Sequence, residues 1–164
     1  MSSSSSSSPQ ALDAEVRRLV GVYGAWCAGT VDRNREVFEA QLGESMSNDF
    51  YIIMPWGDVT SKEDFIAFLK FGYGRQTGME VTVEDFKILQ EFETKDHTTL
   101  TLVSYREMQT EPKKSDVIRQ TTALMETVQD GSIQWRHIHL SWTQPPQEEG
   151  GAPASGGKHV RASF

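Results

Sequence analysis

Two histidines one residue apart, His137 and His139, stand in the most strand-like run of this chain, IQWRHIHLSW. A His-x-His pair on a strand is a ready start for a metal site or a proton-transfer centre. A metal needs a third or fourth ligand, for which Glu107 and Glu126 are the acidic candidates. No acidic residue follows the pair at a spacing that completes a set, so neither a metal nor another cofactor is expected. The alternation of the strand decides where the histidines point. Trp135, His137, His139 and Ser141 fall on one face and Ile138, Leu140 and Trp142 on the other. The second set is the more apolar and is expected to face the core, which turns the histidines outward. Proton chemistry has other candidates in Glu126 and Asp49, with Tyr23 and Arg106 as groups able to stabilise developing negative charge.

Composition narrows the classes of function. The chain has 164 residues, a net charge of −7 and a pI near 5.1. It lacks the clustered Lys and Arg that phosphate backbones require, so no nucleic acid is expected as partner. The single cysteine, Cys27, excludes an internal disulfide and a Cys-based zinc site, and its place on an apolar helical stripe predicts simple packing. No apolar run reaches transmembrane length and no apolar segment follows Met1, so the expectation is a cytoplasmic protein without membrane contact. Residues 1–10 are a serine run closed by Pro9, and residues 144–164 are rich in Pro, Gly, Glu, Ser and Ala. Neither can bury enough surface to offset its ordering entropy, so one folded domain is expected over residues 11–143.

The elements that must position the candidates follow from periodicity. Leu12, Val16, Leu19, Val20, Tyr23, Trp26 and Cys27 recur at helical spacing and predict a long amphipathic helix that ends at Gly29-Thr30. A shorter helix is expected from Asp32 or Arg33 to Leu42, capped by Asp32 and stopped by Gly43. DFYIIMPW, residues 49–56, reads as a first strand ending at Pro55, and Thr60 with Glu63 forms a capping-box pattern for a third helix. The rest is strand. Val81 and Val83 lie on one face and Phe86, Ile88, Gln90 and Phe92 on the other, which predicts a bulge near Glu84-Asp85. Turns at Lys95-Asp96-His97 and around Pro112 precede a closing hairpin on Asp130-Gly131, a pair that tolerates the positive φ of a tight turn. Helices gathered on one face of a curved antiparallel sheet make this an α+β domain.

With those residues in place, the chain resembles the nuclear transport factor 2-like superfamily, and within it the SnoaL-like group. The matching pieces are DFYIIMP after a helix-turn-helix start, the capped helix SKEDFIAFLK, and the ending DGSIQWRHIHLSW. The resemblance implies a cone of sheet, a cystatin-like roll, wrapped around the first helix. It also implies a pocket at the wide mouth and a homodimer formed through the sheet. A small organic molecule would then meet a lining of Trp26, Met54, Trp56, Phe68, Tyr73, Leu124, Ile138, Leu140 and Trp142. The polar groups expected to converge inside are Tyr23, Asp49 or Tyr51, Tyr73, Arg106, Gln120 and Glu126. The family's ketosteroid isomerases carry an aspartate before the proline of the first strand, where this chain has Met54. Their acid falls near Ala123 or Leu124, so that chemistry is not implied. The related calcium/calmodulin-dependent kinase association domain carries pocket arginines at positions near Arg106, Leu124 and Trp142, and only the first keeps its charge. Three readings follow: a small-ligand binding protein; a cofactor-independent lyase, isomerase or cyclase using Glu126 or Asp49 as base; and an interaction module presenting Trp135 and His137.

Overall fold

The computed structural model describes residues 6–147. Helix α1 (Pro9–Ala28) starts three residues earlier than its apolar stripe, because Ser8 accepts a hydrogen bond from the Ala11 amide and Pro9 fits the first turn. It ends on Gly29, whose φ of 71° is the left-handed stop. Helix α2 (Arg35–Gly43) is capped by Asn34, not by Asp32 as the sequence reading had it. Helix α3 (Lys62–Lys70) is capped one residue later than expected: Ser61 accepts from the Asp64 amide and donates to the Asp64 carboxylate.

The strands are β1 (Met46–Ile53), β2 (Val59–Ser61), β3 (Glu80–Glu93), β4 (Thr99–Thr110), β5 (Val117–Thr127) and β6 (Ile133–Gln144). They form one sheet in the order β2-β1-β6-β5-β4-β3, antiparallel throughout except where β1 runs parallel to β6. The first strand starts and ends about three residues before the expected run, and the short β2 carried no signal long enough to read. α1 lies along the concave side and buries Leu12, Val16, Leu19 and Val20 against it.

Cross-strand register fixes which face is inside. Val103, Ala123, Ile138 and Ile52 pair in one row from β4 to β1, and all four are buried. Slips of register set the phase, in β3 at Asp85 and again between Ile88 and Gln90, and in β6 at Arg136. The second turns Phe92 to the convex side, away from the face expected to hold it with Phe86 and Ile88. At Asp85, with φ 54°, the register of β3 slips and brings Phe86 and Ile88 to the same core as Val81 and Val83. At Arg136 the register of β6 slips between Trp135 and His137. Trp135 is therefore wholly buried, on the same side as Ile138, and donates from Nε1 to Glu15 at 2.9 Å. This corrects the strict alternation that placed Trp135 outside with the histidines. His137 is half-buried and His139 exposed, both on the convex side as expected, while Ile138 and Leu140 point into the core.

Candidate functional site

Between α1, α3 and the concave face lies a cavity of about 790 Å³. Its two walls differ in chemistry. One is apolar, built by Leu42, Ile52, Met54, Phe65, Ile138 and Leu140, with Trp56 and Trp142 at its edge, ring centroids 5.9 Å apart. The other is the end of β4 and the start of β5, where inward positions are polar. Alternation along β4 points Tyr105, Glu107 and Gln109 inward, and Arg119 on β5 stands directly across from Glu107, with Trp142 next in the row.

These side chains form a continuous polar strip. Lys114 donates to Glu111 at 2.8 Å, and Gln76 and Gln109 donate to the other Glu111 oxygen at 2.9 and 3.1 Å. Arg119 donates from Nη2 to Gln109. The guanidinium also shares a side-chain hydrogen bond with Tyr23; its Nη1 stops 3.9 Å from Glu107, too far for a hydrogen bond, and its Nε is buried without a partner among the described residues. Thr121 donates to Glu107 at 3.2 Å. Burial works against the Arg119 charge, but the neighbouring Tyr23 and Glu107 outweigh it and raise its pKa. Burial pushes the Tyr23 phenol up to about 12 against the opposing pull of Arg119, and the Cys27 thiol up to about 11. The Tyr105 phenol is raised well above its ordinary value by burial and by Glu107. The arrangement can hold a polar end of a molecule at the strip and an apolar body against the facing wall.

The structure distributes the expected site residues unevenly. Tyr23, Met54, Trp56, Phe68, Ile138, Leu140 and Trp142 all line the cavity. Trp26 lies in the core instead, stacked on Phe38 at 4.0 Å and donating to the Leu69 carbonyl, and Tyr73 packs edge-on against it while donating to Val31. Leu124 and Glu126 face the convex side, where Glu126 accepts from Thr98 at 2.7 Å and lies 3.4 Å from Arg136. Arg106 pairs with Glu84 on that same side, and the exposed Asp49 is held by Ser47 and Arg136, the Ser47 hydroxyl lowering its pKa most. Arg106, Gln120 and Glu126, expected to converge inside the cone, share a face, but it is the outer one. In the sequence Glu107 reads only as a metal-ligand candidate, and Arg119 carries no signal at all. Placing both inside required the register with Ala123 and Ile138. Among the described residues no group of three or more His, Cys, Asp or Glu is placed to hold a metal. No helix among them is long and apolar enough to cross a membrane.

No protein-family model matches the chain, and no curated protein matches it significantly. Solved structures do. An NTF2-like protein of unknown function from Pseudomonas aeruginosa superposes with a TM-score of 0.71 at 19% identity, over 80% of this chain and 98% of the other. An NTF2-like protein from Cytophaga hutchinsonii reaches 0.55 at 16% identity, over 84% and 99%. One from Rhodospirillum rubrum, described as of unknown function in nutrient uptake, reaches 0.51 at 12% identity, over 80% and 97%. The chain thus has the nuclear transport factor 2-like fold, an α+β cone of curved sheet around a long helix.

Proposed function

We propose that this chain is a SnoaL-like small-molecule-binding protein that works as a homodimer, with the cavity as its ligand site. The observation that carries the reading is a cavity of about 790 Å³ whose wall is apolar and aromatic on one side and polar on the other. That size lies in the range of sites for drug-sized molecules, roughly 300–1,000 Å³. The test uses N-phenyl-1-naphthylamine, a neutral apolar fluorophore. Its emission rises on adding wild-type protein and fails to rise with Leu140→Trp, which fills the cavity from the sheet. Equal emission from both proteins places the dye elsewhere and rejects the cavity as the site.

A second reading, a cofactor-independent lyase, isomerase or cyclase acting on a small carbonyl compound, is favoured by Glu107 standing beside Arg119 and Tyr23 in the cavity wall. Glu107 would take a proton from the carbon next to a carbonyl. The electron pair would move to the carbonyl oxygen, where Arg119 and Tyr23 stabilise the enolate. Glu126, Asp49 and Arg106 have no part in this, because they lie on the outer face. Solvent deuterium exchange into acetophenone-type ketones, present in wild type and lost in Glu107→Gln, is the result expected; equal exchange in both rejects it. The interaction module expected to present Trp135 and His137 loses the first, which is wholly buried, and keeps the second, half-buried on the convex face.

A further inference from the structure

We infer that the polar strip is a receiving site for one carboxylate, so that the ligand is an apolar monocarboxylic acid with Arg119 as its anchor; this rests on the cavity being the ligand site. The first support is the state of the guanidinium. Arg119 is 13% exposed in its side chain; its Nη2 donates to Gln109 and the guanidinium also shares a side-chain hydrogen bond with Tyr23. Nη1 stops 3.9 Å from Glu107, and Nε has no partner among the described residues. Donors left in this condition away from water are costly, and a guanidinium presents them in the fork that matches a carboxylate.

The second support is the distribution of charge. The chain carries a net −7, yet Arg75, Lys113, Lys114 and Arg119 line this one cavity against Glu107 and Glu111. Both acids are already engaged. Glu111 accepts from Lys114, Gln76 and Gln109, and Glu107 accepts from Thr121. Among the described residues the cavity lining thus holds four cationic side chains against two acidic ones on an otherwise acidic protein, a balance that favours an anion over a cation. The third support is the facing wall. Ile138, Leu140 and Met54 offer no polar group, so the body of the molecule must be apolar while its charged end meets Arg119 and the Tyr23 hydroxyl beside it. Glu107 opposes the same anion at close range, which gives it the role of limiting affinity.

The experiment is displacement of N-phenyl-1-naphthylamine at pH 7.5 by three acid and amide pairs of rising size: benzoic acid and benzamide, 2-naphthaleneacetic acid and its amide, 1-pyrenebutyric acid and its amide. In wild type the best acid is expected to displace the dye at least about tenfold more tightly than its amide, the scale of a charge-assisted pair. Arg119→Gln brings that ratio to about one, and Glu107→Gln tightens the acid about threefold or more while leaving the amide unchanged. A structural role for either residue would not move the two variants in opposite directions. If Arg119→Gln does not fold, the wild-type ratio and the Glu107→Gln response decide the matter. Dye binding with acid and amide equal overturns the carboxylate site but leaves the cavity reading standing. An acid preference that survives in Arg119→Gln and vanishes in the Lys113→Gln, Lys114→Gln double variant overturns Arg119 as anchor. No dye binding to wild type overturns the cavity reading and this inference with it.

Discussion

Tyr23 and Cys27 occupy successive turns of α1 and face the cavity as neutral groups in a setting that resists their ionisation. The consequence for stability has a definite sign. Cys27 titrates at about 11 in the fold against an ordinary 9.0, and Tyr23 at about 12 against 10.0. Each folded-state pKa is raised, so above pH 9 the unfolded chain releases protons that the folded chain keeps, and stability falls as pH rises. Shifts of this size correspond to ~2–3 kcal/mol per group as an upper bound. Urea unfolding at pH 7.5, 9.5 and 10.5 is expected to show a flat midpoint to pH 9 and then a steep decline. Cys27→Ala should remove the first part of that decline and leave the part above pH 10. A midpoint unchanged from pH 7.5 to 10.5 would mean that both groups reach water in the folded state. Tyr23 was legible in the sequence as a member of the helical stripe; its partner Arg119 was not, because a lone arginine on a strand gives no sign of which face is inside.

The junction of α1 with the loop after α3 holds the polar strip in place. The Gly74 amide donates to the Trp26 carbonyl at 3.1 Å and the Gln76 amide to the Cys27 carbonyl at 3.0 Å, so the loop satisfies the last carbonyls of the helix. That contact needs Gly29, where φ is 71° and an added Cβ would stand 3.0 Å from the Gly74 Cα. Gly29→Ala is expected to cost ~1–3 kcal/mol in chemical denaturation, from backbone strain and the displaced loop. Gly21→Ala is the control. Nothing lies within 4 Å of its added Cβ, in mid-helix, and it should be neutral or stabilising by up to ~1 kcal/mol. Equal effects would show that the junction is slack. Much at this scale was readable in advance: the long helix, the bulge at Asp85, and the Asp130-Gly131 turn, where Gly131 takes φ 85° and Asp130 accepts from the Ser132 amide. The phase of β4 was not. Its outward face carries Leu100 and Leu102 and its inward face Thr99, Thr101 and Glu107, so hydrophobicity alone favours the wrong side. The bulge at Arg136 likewise defeats alternation, since an inserted residue leaves no trace in a run of apolar and polar types.

At the scale of the molecule, the three helices among the described residues cover the concave side, and no described element covers the convex side of the sheet. Register brings Leu102, Leu124, His137 and Tyr51 into one row across that face, with Leu100 and Phe92 paired in the next. Tyr51 and Phe92 are 43% and 44% exposed, far more than a β-sandwich or helical layer would allow. Of the charges bordering this row, Arg106 pairs with Glu84 and Arg136 with Asp49 and Glu126, while the exposed Lys87, across from Ser104, stands in the neighbouring row. A second copy could cover the apolar row with most of the bordering charge already paired, provided the Lys87 ammonium reaches water at the rim, since burying an unpaired charge is costly. We propose on this ground that the homodimer forms through the convex face, where a stable contact takes roughly 800 Å² from each partner. Sedimentation equilibrium at 20–50 micromolar should give twice the mass expected for 18.4 kDa. Leu102→Glu with Leu124→Glu should reduce it to the single-chain value while leaving the thermal transition cooperative, because both side chains lie outside the core that Val103 and Ala123 fill. A wild-type mass of one chain rejects the dimer. A dimer that survives both substitutions moves the interface to another surface and leaves the exposed row on the convex face without an explanation.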